Sequence, residues 1–145
     1  KPVCPAVSAL RRGEEEAGFT QMACYTAFAE QVKATKRALL AFLIDAKRAG
    51  KTIAGYGAPG KGNTLLNYCG IRSDFLDYTV DPYKQGKFLP GTRIRIYHPD
   101  KIQATQPDYV LILPWNFKEE IMQQLAYVRT WGAQFVVPIP EVNVV

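Results

Sequence analysis

No apolar run in these 145 residues approaches the ~18 that a membrane-spanning helix needs. Cysteine is scarce: Cys4, Cys24 and Cys69 are an odd number and widely spaced. They fit neither a disulfide framework nor a zinc site and point to a reducing, cytoplasmic setting. There is one histidine, His98, in a Tyr-His-Pro turn with no carboxylate or cysteine at motif spacing, so it reads as a surface residue. No Ser/His/Asp set, metal-ligand cluster or pair of catalytic carboxylates stands out. The chain starts at Lys1 without methionine and without a basic-then-apolar leader. No signal peptide is expected, and the sequence reads as a fragment of a longer protein.

What is present is the composition of a globular domain, 48% hydrophobic and 21% charged, with a length sufficient for a real core. The formal charge of +5 permits an anionic partner. The basic residues are spread as Arg11-Arg12, Lys33-Lys36-Arg37 and Lys47-Arg48-Lys51, and Glu14-Glu15-Glu16 interrupts them. A nucleic-acid surface gathers its charge with aromatics on one face, so neither nucleic acid nor membrane is an expected partner.

Residues 1–18 read as a linker or irregular lead-in, and 19–145 as one domain. From Thr20 to about Ala49, apolar residues at Met22, Tyr25, Phe28, Val32, Leu39, Leu40 and Leu43 predict a long amphipathic helix whose aromatic stripe is core. Thr20 is a suitable cap for its start and Gly50 for its end. Strands are expected at 52–56, 77–80, 109–113 and 135–139, with an exposed edge strand at 93–97. Helices are expected at 60–68, 99–105 and 117–131, the last capped by Asn116 and stopped by Gly132. Short apolar strands alternating with helices imply a Rossmann-like α/β three-layer sandwich, with a mainly parallel sheet of about five strands. Ligands of such sheets sit beyond the carboxyl ends of the strands, where strand order reverses.

Three chemically unusual loops leave strand ends. The first runs Gly55-Tyr56-Gly57-Ala58-Pro59-Gly60-Lys61-Gly62-Asn63 and matches G-x-G-x-x-G between a strand and a helix. Glycines there let main-chain N–H groups approach a phosphate at a helix N-terminus, and Lys61 adds positive charge. Pro59 removes one donor, and Gly62 after Lys61 excludes a Walker A loop. The second loop carries Asp81, Tyr83, Lys84 and Lys87; Asp81 stands near the place of a ribose-binding acid, and the lysines suit a diphosphate. The third, Leu113-Pro114-Trp115-Asn116, puts an aromatic and an amide at the mouth of a central strand, suited to stack on a base or sugar ring. The glycine pattern alone also fits a tight turn with no ligand, and Trp115 also fits packing on Phe117.

The blocks GYGAPGKGNTLLNYCGI, VDPYKQGKFLPGTRI, PDYVLILPWNFKEEI and WGAQFVVPIP, in this order between about Tyr25 and Pro140, resemble the C-terminal domain of the SAM-dependent C-methyltransferases that act on nucleotide-linked deoxysugars. Four separate blocks are more specific than the glycine motif. Pro59-Gly60 departs from the small residues expected before the lysine. The resemblance implies a longer enzyme: a zinc-binding segment, a SAM-binding domain, then this domain. The nucleotide sugar would lie in the cleft between the last two. It implies removal of a proton beside a sugar ketone and attack of the enolate carbon on the SAM methyl group, with the base in the middle domain. SAM would be bound by that domain, not by this chain, and this chain alone would be inactive. By motif position, Gly57, Ala58, Lys61, Gly62 and Asn63 form one wall of the substrate site. Asp81, Tyr83, Lys84 and Lys87 form a second wall, and Trp115 and Asn116 a third. Two other readings stay open: a dinucleotide-binding module of an oxidoreductase, and a non-catalytic scaffold that docks on a partner domain.

Overall fold

The computed structural model describes residues 3–145. The chain divides into two compact units, residues 1–34 and 35–145.

The first unit differs from the irregular lead-in expected. Helix α1 spans Pro5–Glu16. Pro5 opens it, where a missing N–H costs nothing. Gly18 ends the run at φ +77°, its N–H donating to the Glu15 carbonyl at 3.0 Å. Helix α2 spans Met22–Arg48, and its first part belongs to this unit. Met22, Tyr25 and Phe28 are exposed, so this end of the aromatic stripe is not core. Two helices without a sheet bury too little surface to close over such side chains, and no residue of α1 is buried. Further along α2, Leu39, Leu43 and Ala46 are buried. Gly50, at φ +71°, ends α2 as expected, with its N–H on the Lys47 carbonyl.

The second unit is the Rossmann-like sandwich. Its strands are β1 (Ile53–Tyr56), β2 (Tyr78–Val80), β3 (Ile96–Tyr97), β4 (Tyr109–Ile112), β5 (Gln134–Val137) and β6 (Asn143–Val144). Its remaining helices are α3 (Gly60–Cys69), α4 (Asp100–Thr105) and α5 (Lys118–Gln124). The sheet order is β3-β2-β1-β4-β5-β6. The first five strands are parallel and β6 runs antiparallel to β5. The sequence pattern did not announce β6, because a two-residue exposed strand carries no period.

The side-chain alternation of the strands splits the core into two layers. Ile53, Leu111 and Val136 face Leu39 and Leu43 of α2 and Leu66 of α3. Ala54, Val110, Ile112, Phe135 and Val137 face the opposite cluster, with Ile102 of α4 and Ile121 of α5. The edge strand β3 is shorter than expected, and Ile94 and Ile96 of that segment are buried. The single helix expected over 117–131 is three pieces: a 3-10 turn at Trp115–Phe117, then α5, then a 3-10 segment at Ala126–Trp131. Asn116 lies in the first turn and does not cap α5, whose N-cap is Phe117 without a side-chain bond. Gly132, at φ +82°, stops the last piece. Strand order reverses between β1 and β4, and the turns after these strands, 57–60 and 113–116, stand side by side beyond the sheet.

Candidate functional site

The glycines of the first turn answer to the protein's own atoms. Gly57 has φ +85°, and a Cβ there would stand 2.6 Å from Pro114 Cγ. A Cβ on Gly55 would meet Thr79 Oγ1 at 2.7 Å, and one on Gly62 would meet Leu113 Cβ at 2.8 Å. These three glycines let β1 and α3 close against β2 and the turn after β4. Gly60, the first residue of α3, differs: a Cβ there has nothing within 4 Å. The backbone of the α3 N-terminus is therefore open to an approaching group at this residue.

Asp81 and Lys84 lock the second turn to the first. Asp81 Oδ2 accepts from the Ala58 N–H at 3.1 Å, and its Oδ1 accepts from the N–H groups of Tyr83 and Lys84 at 2.9 and 3.1 Å. The Lys84 ammonium donates to the Ala58 carbonyl at 2.5 Å. Buried Thr79 adds a bond from its hydroxyl to the Gly57 carbonyl at 2.7 Å. The carboxylate at the β2 end is thus engaged with three backbone donors. Tyr83 is 91% exposed, and its N–H is the group engaged with Asp81. Lys87 is exposed at the rim of the turn.

The third turn meets the first through a cation–π pair, with Lys61 Nζ 5.0 Å from the centre of the Trp115 ring. Trp115 is half-buried on the core layer shared with α4 and α5, and Asn116 is exposed beside it. At the end of β1, the Tyr56 hydroxyl donates to Gln124 Oε1 at 3.1 Å. Burial, with nearby Tyr127, Asp81 and Glu120, raises its pKa and keeps the phenol protonated.

Between α3 and the connection from β2 to β3 lies a cavity of about 360 Å³. Ala58, Asn63, Lys84 and Lys87 of the expected set line it, together with Gly60 of the glycine motif and with Phe88, Leu89 and Pro90. The last three were not among the residues expected from sequence. Their signal was the apolar run Phe88-Leu89-Pro90 set inside a basic, glycine-rich loop. That wall is pinned to α3 by Asn67, whose amide donates to the carbonyls of Asn63 and Pro90 at 2.9 and 3.0 Å. Asn63 Oδ1 is buried and has no hydrogen-bond partner. The lone histidine does have a carboxylate neighbour: His98 Nδ1 lies 3.0 Å from Asp100 Oδ2 at the start of α4. Cys69 is buried, which pushes its thiol pKa up. Among the described residues, no helix is long and apolar enough to cross a membrane.

A parallel sheet in the order β3-β2-β1-β4-β5, with three polar turns meeting at its switch point, defines a Rossmann-like domain. Its sequence matches, over residues 1–140, the family described as the C-methyltransferase C-terminal domain, and the chain belongs to that family. It is 39% identical over 148 residues to the C-methyltransferase NovU of Streptomyces niveus. That match covers 99% of this chain and 34% of the relative, so the chain spans about a third of the relative's length.

Proposed function

We propose that this chain is the substrate-binding part of a SAM-dependent C-methyltransferase acting on a nucleotide-linked keto-deoxysugar. The sugar nucleotide lies across the ends of β1, β2 and β4, in a cleft completed by a SAM-binding domain of the full-length, cytoplasmic enzyme. Supporting this is the meeting of Lys61, Trp115 and the open α3 N-terminus at Gly60, which sets a cation, an aromatic face and backbone donors around one point. Lys61 and the first turn of α3 meet the phosphates. Trp115 and Asn116 face the sugar. Lys87 adds charge at the rim.

The engagement of Asp81 with the main chain weighs against SAM or NAD on this chain. A Rossmann site takes the ribose hydroxyls on an acid at the β2 end, and both oxygens of Asp81 already accept backbone N–H groups. No step of methyl transfer is therefore assigned to residues of this chain, and the chain alone binds without reacting. The same observation weighs against the oxidoreductase module.

Calorimetric titration with a thymidine-diphospho-sugar, NAD and SAM, each separately, tests the reading. Saturable heat with the sugar nucleotide alone, lost in Lys61→Ala, is the expected result. Heat with NAD alone moves the chain to the oxidoreductase reading. Silence for all three, here and in the full-length chain, leaves a scaffold that only docks.

A further inference from the structure

We infer that the cavity between α3 and the β2–β3 connection is the pocket for the nucleobase, so that the bound nucleotide runs from Phe88, across the N-terminus of α3, to Trp115. This rests on the sugar-nucleotide reading above and orients the ligand within it. The cavity, at about 360 Å³, is within the range of small-molecule sites and large enough for a base. Its lining is mostly apolar, with the Phe88 ring half-exposed at its edge and Arg95 5.9 Å from the centre of that ring. A flat aromatic ligand stacks on such a ring whichever base it is. Asn63, on the α3 wall, supplies a polar side chain among these apolar ones.

The direction follows from what each end must do. The reacting sugar has to be reached by a methyl donor that this chain does not hold. It therefore takes the lip formed by Lys61, Trp115 and exposed Asn116. The inert base takes the cavity walled by α3 and by the turn that Asn67 pins at Pro90. The diphosphate then falls between them, at Gly60 and Lys61.

The test is amide shift mapping on the ¹⁵N-labelled chain with inorganic pyrophosphate, thymidine diphosphate and a thymidine-diphospho-sugar. All three are expected to move Gly60 and Lys61. Only the two nucleotides should move Phe88, Leu89 and the Asn63 side-chain amide, and only the sugar nucleotide should move the Trp115 indole. Phe88→Ala should weaken both nucleotides about tenfold and leave pyrophosphate unchanged. Asn63→Ala should also weaken them while leaving the melting temperature unchanged or higher, because Oδ1 has no partner to lose. Thymidine diphosphate moving Trp115 but not Phe88 would reverse the orientation and leave the proposed function standing. Sugar-nucleotide binding unaffected by both variants would overturn the base pocket alone. No shifts with either nucleotide here, together with no binding of either by the full-length chain, would overturn both.

Discussion

The Ala58 N–H donates to Asp81 Oδ2 at 3.1 Å, and this bond ties the turn after β1 to the turn after β2. With the Tyr83 and Lys84 N–H groups on its other oxygen, Asp81 gathers three backbone donors from the two turns. Hydrogen bonds to a charged group contribute about 1.5–3 kcal/mol each, and they are not additive in one network. Asp81→Ala is therefore expected to destabilise the chain by roughly 2–4 kcal/mol. Urea unfolding reads this directly. An unchanged midpoint would show that the carboxylate is available to a ligand instead.

Gly57 and Gly60 share one turn and predict opposite outcomes. Ala at Gly57 meets Pro114 at 2.6 Å and must adopt φ +85°, so Gly57→Ala is expected to cost more than about 2 kcal/mol. Ala at Gly60 meets no atom within 4 Å, and stability should hold or rise by up to about 1 kcal/mol. If a phosphate approaches the main chain at Gly60, the same methyl group weakens sugar-nucleotide binding. Thermal melts of both variants, paired with titrations of Gly60→Ala, separate the glycine that shapes the turn from the one that leaves room for a ligand. A Gly60→Ala chain that binds like the parent would remove the phosphate from this residue.

The contrast between these glycines also marks what the sequence reveals. The strand–glycine–helix pattern locates the turn, and the apolar runs at 53–56 and 109–112 locate the central strands, because burial on both faces leaves a local trace. Which atom each glycine makes room for is not local. Pro114 and Thr79 lie 57 and 24 residues beyond Gly57 and Gly55 and reach them only through the sheet. Asp81 looks like a ribose acid for the same reason, since its position in the chain is right and only the fold reveals its backbone partners. Phe88, Leu89 and Pro90 sit among lysines and glycines in the chain, and only the fold brings them against α3 as a cavity wall. The period of α2 predicts one amphipathic face, which is buried at Leu39 and Leu43 and exposed at Met22, Tyr25 and Phe28. It does not say where along the helix that face has a partner.

Met22, Tyr25 and Phe28 are 78, 56 and 62% exposed, so they contribute little to the stability of this chain. Replacing each by Gln is expected to change stability by less than about 0.5 kcal/mol, the range of ordinary surface substitutions. Leu43→Ala, 15 residues beyond Phe28 on the same helix and fully buried, is expected to cost about 2–5 kcal/mol. Unfolding of the four variants side by side checks whether α2 has two energetically distinct halves. A large loss at Phe28 would show that this end of the helix is packed in solution.

At the opposite, amino-terminal end of the sheet, Asp108 accepts from Lys51 Nζ at 2.8 Å and from the Thr52 N–H and hydroxyl at 2.9 Å. The Lys51 bond, then the Thr52 N–H, lower its pKa from 3.8 to about 2. A carboxyl whose folded pKa is depressed adds stability above its unfolded value and loses it as pH falls through the folded one, here between about pH 4 and about pH 2. Lys51 is shifted up by the same bond, so its share is present below its unfolded value of 10.5 and fades only as pH rises past it. Asp108→Asn should therefore melt lower than the parent near neutral pH, and the gap should close as pH drops from about 5 to about 2. Because Asp108 precedes β4 while Trp115 follows it, sugar-nucleotide affinity at neutral pH should not change. A gap that stays constant through the acid range would place the effect on packing around Thr52 rather than on the ionised carboxylate.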